Sequence, residues 1–431
     1  MRRVLLLLLF SFILTVPLYT GDYSVTLEVK SDQKKKVYVP VWIEKGEPVR
    51  FSVSGRWTMW HPSWNAVGAG GHTHFKRIGG YHLGTLMGMV MGGEPFLVRN
   101  GMRYTSKTSG YLVLYPHREK YYHLKTSGTL RVTVTGAQLK ERNLTADEER
   151  VLRDYRENYL ASEIDDLKWT GSVRGCRAGS LPPEVLKKAE QRINYFRRMV
   201  GLYPVKLDPE LNDISQATAL IMLARKDTSH YPGKNWPCYS EKGALGARKS
   251  NLGRSATEHL ITDFIEDKGA SNTYCGHRRW LLYSRSASMG FGAAYDPRHY
   301  MFAANALYVV NSAPSPLGTV PEFIAYPPAG PVVDALVFPR WSFSLPARNV
   351  DFSGVRVRLT GSDGKPVPII QHPIVKRRGD PSVTWDIDTR RMNFTSFIAR
   401  NTGGQVTVDI RNVKVNGEAK DYRYQVKIIM P

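Results

Sequence analysis

Two histidines and three cysteines carry the chemistry that can be read from this 431-residue chain. His230 closes Lys226-Asp227-Thr228-Ser229-His230 directly after an amphipathic segment, and His277 sits within Cys275-Gly276-His277-Arg278-Arg279-Trp280. Two imidazoles brought to one cleft could hold a divalent metal or move a proton. Ser229 beside His230 invites a serine-hydrolase reading, but adjacency in sequence does not make a triad and no glycine-flanked nucleophile elbow is present. The chain also lacks a phosphate-cradling glycine loop, a zinc ribbon and a dinucleotide fingerprint.

The cysteines are Cys176, Cys238 and Cys275. An oxidising compartment favours one disulfide and one remaining thiol, and Cys238 with Cys275 is the expected pair because both flank the histidine region; the alternative is three buried thiols. That compartment is suggested by the first residues. Met1-Arg2-Arg3 precedes an apolar run from Val4 to Val16, too short to span a bilayer and patterned as a secretory signal peptide over residues 1–21. The expectation is a secreted or periplasmic protein, or a membrane-anchored one if the segment stays uncleaved.

A formal charge of +22 favours acidic partners: anionic lipid at a membrane surface, acidic glycan, or nucleic acid. Lys34-Lys35-Lys36, Arg278-Arg279, Lys376-Arg377-Arg378 and Arg390-Arg391 are scattered, so they read as solvated faces rather than one nucleic-acid groove.

The elements that must position the histidines fall into three blocks. Residues 22–138 alternate at period two around Tyr23–Val29, Val37–Ile43, Val49–Val53, Gly110–Tyr115 and Thr129–Val134, which predicts an all-β sandwich. Residues 139–180 form a helical connector, opened by the capping box Thr145-Ala146-Asp147-Glu148. From Leu181-Pro182-Pro183, one helix carries Val185, Ala189, Ile193, Phe196 and Val200 on one face and ends at Gly201. Asp208-Pro209 opens a second helix, and a third runs from about Ala256 to Asp267. Strands follow at Ser288–Ala294 and Tyr300–Val310, making residues 181–312 an α+β domain. Residues 313–431 begin proline-rich and then alternate, which predicts a C-terminal all-β sandwich of immunoglobulin-like size.

In the first block, Lys45-Gly46-Glu47-Pro48-Val49 leading to Gly55-Arg56-Trp57, then Leu83-Gly84-Thr85-Leu86-Met87-Gly88, Tyr111-Leu112-Val113-Leu114 and Ser127-Gly128-Thr129-Leu130, resemble the PA-I-type galactophilic lectins. The resemblance implies a jelly-roll, lectin-like fold. It also implies calcium held by Asn and Asp, but Pro116-His117 and Lys125-Thr126 stand at those places, and calcium requires hard oxygen ligands. Sugar contact could instead rest on Trp57, Trp60 and Trp64 with His61, His72 and His74; the competing reading makes these core tryptophans and loop histidines.

In the central block, Ile193-Asn194, Arg197, Gly201-Leu202, Pro204-Val205-Lys206-Leu207-Asp208, Ser229-His230, Asn251-Leu252, Gly276-His277-Arg278 and Met289-Gly290-Phe291-Gly292 resemble the CAP superfamily of cysteine-rich secretory, antigen 5, pathogenesis-related and bacterial SCP-like proteins. The resemblance implies an α-β-α sandwich whose cleft converges two histidines and two acidic residues, with zinc bound in some members. Here the histidines are His230 and His277. Ser250 replaces the acidic residue before Asn251-Leu252, and Glu266 or Asp267 supplies the other.

Two histidines and one carboxylate with an open position would still suit zinc, whereas a hydrolase is left with a single candidate base. The expected function is therefore a non-enzymatic binding protein engaging a lipid, glycan or protein. Ser250, Arg278, Trp57 and Trp60 are its candidate ligand contacts. The alternatives are a zinc-dependent hydrolase using His230, His277 and Glu266 or Asp267, and a carbohydrate-binding adhesin acting through the N-terminal block.

Overall fold

The computed structural model describes residues 23–31, 37–59, 65–74, 77, 79–91, 93–117, 126–136, 140–141, 144–255, 259–296, 303–376 and 379–431. The apolar run Val4–Val16, Lys34-Lys35-Lys36, Trp60, His61 and Trp64 lie outside the described residues. The chain divides into two compact units, residues 1–143 and 144–431.

The first unit is built from β1 (Tyr23–Lys30), β2 (Val37–Ile43), β3 (Pro48–Thr58), β4 (Leu86–Val90), β5 (Phe96–Leu97), β6 (Arg103–Thr105), β7 (Gly110–Pro116), β8 (Ser127–Gly136) and β9 (Lys140–Glu141). They form two antiparallel sheets, ordered β1-β8-β3-β6 and β5-β4-β7-β2-β9. Period-two alternation turns one face of each sheet inward, and Val41, Val49, Phe51, Leu86, Leu112 and Val132 meet in a single core. Trp57 belongs to that core. It is fully buried and its Nε1 donates to the Gly84 carbonyl at 2.9 Å, so the core reading replaces the expected sugar contact at this position.

The second unit opens with α1 (Ala146–Asp154), whose capping box forms as the sequence predicts: Thr145 Oγ1 accepts from the Glu148 amide and the Glu148 carboxylate accepts from the Thr145 amide. The helix runs on through one π turn, Tyr155–Leu160. Leu152, Tyr155 and Tyr159 are buried, so this segment is part of the folded unit and not a free spacer.

Next come α2 (Pro183–Met199), α3 (Pro209–Arg225), α4 (Glu241–Lys249), β10 (Ser250–Gly253), α5 (Thr262–Glu266), α6 (Gly276–Leu281), β11 (Gly290–Tyr295) and β12 (Ala303–Tyr308). The two leading helices match the periodicity almost to the residue. The α3 helix is buried continuously from Ile214 to Leu223 because it packs on both α4 and the antiparallel sheet β10-β12-β11. Its polar side chains are satisfied internally; Gln216, for example, exchanges hydrogen bonds with the Ala293 amide and carbonyl.

No apolar periodicity in the sequence marks α4. Gly243 and Gly246 interrupt its apolar pattern, but they are there because a Cβ at either position would collide with α3, at Ile221 and Thr218 respectively. The third predicted helix is shorter than expected, since α5 begins only at Thr262.

The remaining chain forms β13 (Ile324–Tyr326), β14 (Gly330–Val333), β15 (Arg340–Ser344), β16 (Val350–Asp351), β17 (Arg356–Thr360), β18 (Pro366–Val367), β19 (Ile369–Gln371), β20 (Ser382–Ile387), α7 (Phe394–Asn401), β21 (Gln405–Val415) and β22 (Glu418–Ile429). Its sheets are ordered β13-β15-β20-β19 and β14-β22-β21-β17-β18, with β16 beside β21. Trp341, Phe343, Trp385, Val408 and Val426 are fully buried.

This region and the central domain share a polar, buried interface. Arg278 and Arg279, expected as part of a solvated basic cluster, are instead only 1% and 4% exposed. Arg279 donates to the carbonyls of Val375 and Asp380, and Ser284 donates its amide and hydroxyl to the Asp380 carboxylate. Burial raises the Asp380 carboxyl above its ordinary pKa despite these donors.

The disulfide joins Cys176 to Cys238, correcting the expected Cys238–Cys275 pair. Cys275 immediately precedes α6, is fully buried and stays a free thiol. Burial pushes that thiol up to about 12. A maleimide probe will therefore leave Cys275 unlabelled from pH 7 to 9 until the protein unfolds, as peptide mapping will report. Reducing Cys176–Cys238 will lower stability by about 3 kcal/mol in denaturant titration, because the bridge closes a long loop.

Candidate functional site

The site is assembled at the junction of α4 with β10 and at the turn between α5 and α6. The α3 helix ends in a left-handed cap at Lys226, which directs the chain away from the helix axis and into the loop bearing His230. His230 Nδ1 lies 2.8 Å from the Ala247 carbonyl in the last turns of α4. A carbonyl only accepts, so this nitrogen carries a proton, and Nε2 accepts whenever the ring is neutral.

His277 is held in the same tautomer by different means. Asp267 caps α5 in the left-handed region, with φ 55°. Its side chain is fully buried, and its Oδ1 sits 2.8 Å from His277 Nδ1. Oδ2 accepts the Arg278 amide at 3.0 Å, and Asn272 Nδ2 donates to Oδ1. His277 keeps 30% of its side chain exposed. Asn251 Nδ2 donates to the His277 carbonyl at 2.9 Å. Ala247 and Asn251 thus bind one histidine each, and the α4–β10 junction links the two.

The turn carrying Asp267 is itself clamped from the C-terminal sheets. Arg340 binds Asp386 bidentately, Nε to Oδ1 at 2.8 Å and one terminal nitrogen to Oδ2 at 3.0 Å. Its other terminal nitrogen donates to the carbonyls of Asp267, Gly269 and Asn272 at 2.8, 3.0 and 3.1 Å. Arg278 is packed beneath, donating to the carbonyls of Ile265, Glu266 and Arg340 and to Ser342 Oγ, with its guanidinium 4.6 Å from the Tyr326 ring centroid. Arg278 therefore supports the site from within and does not face a ligand.

Of the two acidic candidates, Asp267 faces the histidine. Glu266 turns away into an ion pair with Lys268 at 2.9 Å. Ser250 is buried at the junction, and its hydroxyl has no hydrogen-bond partner.

These donors do not fit a zinc centre of three protein ligands. Asp267 already receives His277, Asn272 and the Arg278 amide, Glu266 is paired elsewhere, and a serine stands where a second carboxylate would be. Among the described residues, no three His, Cys, Asp or Glu side chains are grouped so as to hold a metal ion.

Tyr231 was not among the sequence candidates. It follows His230 directly and is 79% exposed, an unusual state for a large aromatic side chain, and the signal for it was this adjacency.

Residues 190–311 match the family model described as the cysteine-rich secretory protein family, CAP. The centre of this chain is a CAP domain. Among solved structures, the chain is similar to the EclA N-terminal domain, a PllA-like lectin, at 17% identity, covering 26% of this chain and 94% of that one with a TM-score of 0.23. It is also similar to selenomethionine PcoC, a copper resistance protein from Escherichia coli, at 16% identity, covering 24% of this chain and 94% of that one with a TM-score of 0.18. Both similarities fall below the level at which a shared fold follows. No curated relative matches.

In this CAP domain the arginine clamp and the Asp267–His277 pair should be energetically coupled. Arg340→Ala will lower stability by about 3 kcal/mol in denaturant titration, because Asp386 and three carbonyls lose their donor. Asp267→Asn will cost about 2 kcal/mol and abolish the single Nδ1–H tautomer of His277, as nitrogen-15 NMR of the ring will show.

Proposed function

We propose that this chain is a glycan-binding protein whose CAP cleft accepts sugar hydroxyls on the Nε2 atoms of His230 and His277. The observation that carries this reading is the fixed tautomer of both rings, each with its Nδ1 bound to an oxygen that must accept a proton. With Nδ1 directed at an oxygen in this way, Nε2 is the ring atom left for a ligand, and in the neutral ring it accepts, which suits hydroxyl donors. The exposed Tyr231 ring beside His230 adds an apolar platform of the kind that packs against a sugar face.

Several supports bear on the wider setting. The Cys176–Cys238 disulfide and the apolar leader favour an exported protein, secreted or periplasmic. The first unit, as a lectin-like jelly-roll sandwich, would serve as a second binding module, and tethering two modules on one chain raises avidity. The CAP domain would then follow the α-β-α layer order that its resemblance implies.

A second reading rests on the same carboxylate–imidazole pair. Asp267 orienting His277 is also how a general base is positioned, so hydrolysis of a bound glycan remains the alternative.

The full chain on an array of neutral oligosaccharides tests both. Retention that weakens about tenfold in His277→Ala and in Tyr231→Ala, with circular dichroism unchanged, is the expected result. No retention by folded wild type overturns glycan binding. Turnover of a retained sugar that disappears in His277→Ala would establish the hydrolase instead.

A further inference from the structure

The outward face of the sheet β14-β22-β21-β17-β18 carries four arginines: Arg356 and Arg358 on β17, Arg411 on β21 and Arg423 on β22. Alternation fixes this arrangement, because Val357, Ile410 and Tyr422 between them turn into the core. Arg356 stands directly opposite Arg411, and Arg358, Asp409 and Arg423 form the next row across three strands. Neighbouring strands lie about 4.8 Å apart and alternate residues about 7 Å, so the four cationic groups occupy a compact, flat grid.

Like charges directly opposite one another destabilise a sheet, and nothing in the fold relieves this pair. Among the described residues no carboxylate pairs with Arg356, Arg358 or Arg411. Asp409 is engaged by Arg423 at 3.6 Å, and Asp421 accepts the Asn412 amide at the β21 bulge. The contrast with Arg278 and Arg340, which are buried and bonded at many points, is the telling feature: Arg356 and Arg411 are held out to solvent as a like-charge pair with fold stability opposed to them, while Arg358 and Arg423 flank the single Asp409 in the next row.

We propose that this face docks an acidic polysaccharide, a linear chain bearing carboxylates on successive sugars. A guanidinium fork matches a carboxylate bidentately, and a repulsive arginine pair becomes favourable once a polyanion lies across it. Thr407 and Gln425, side by side on the same face, add neutral partners for hydroxyls. The exposed large hydrophobic residues among those described, Tyr231, Val310 and Leu317, all lie off this sheet, so the face offers no apolar group to enter a bilayer and no ring to stack a base. This surface is separate from the histidine cleft and does not depend on the reading given to it.

The test is titration of the full chain with polygalacturonate by calorimetry at low and at high salt. Wild type is expected to bind, more weakly as salt rises. Arg356→Ala/Arg411→Ala is expected to bind about tenfold more weakly while its unfolding midpoint is unchanged or raised, since repulsion has been removed. Arg99→Ala/Arg103→Ala, which removes the same charge from the first unit, is expected to bind as wild type does. Absence of wild-type binding, unchanged binding by the sheet variant, or equal weakening by the control pair would each overturn the proposal. Stronger retention on phosphatidylglycerol vesicles than on polygalacturonate would overturn the polysaccharide as occupant.

Discussion

The guanidinium of Arg340 holds the second unit together at the turn that positions Asp267 against His277. One side chain closes a bidentate ion pair with Asp386 inside the C-terminal sheets and reaches three carbonyls of the Asp267–Asn272 turn in the CAP domain. Removing so much charge from water is costly, and only a complete set of partners offsets it. The turn therefore has one geometry, with Asp267 in a left-handed cap and its carboxylate aimed at His277.

This arrangement explains why the CAP domain and the C-terminal sheets form a single unit rather than two beads on a string. Arg278 and Arg279 reach across the same boundary, and Thr384 donates to the Thr273 carbonyl from the far side. An interface built from directional hydrogen bonds resists sliding more than an apolar one would, because every displacement strands a buried donor. The Asp267–His277 pair is thus braced by residues more than fifty positions away in sequence.

The arginines of this protein serve two opposite purposes. Those at the domain boundary are buried and donate to several carbonyls and carboxylates. Those on β17, β21 and β22 are exposed, with two of them facing each other in register. The same residue type gives rigidity in one place and a charged surface in the other, and the difference lies in burial among backbone carbonyls.

Much of this was legible in the sequence. Period-two alternation located most of the principal strands of the first unit, the 3.6 period placed α2 and α3, and the Thr145–Glu148 capping box marked where the second unit begins. The histidine pair and its CAP context were also readable, because local patterns and motif order survive in one dimension. What was not legible depended on a partner distant in the chain. The glycines of α4 hid a helix whose close approach to α3 requires them, and Cys238 found Cys176 because Cys275 is sealed inside the core. Arg278 looked like part of a solvated cluster until the C-terminal sheets covered it. The choice between Glu266 and Asp267 was made by one left-handed residue at a helix end, and that conformation is held by Arg340 from another domain. Residue identity and local period determined which groups this chain could bring to a site; tertiary packing decided which are buried, bonded and aimed, because burial and hydrogen-bond satisfaction are properties of neighbours in space.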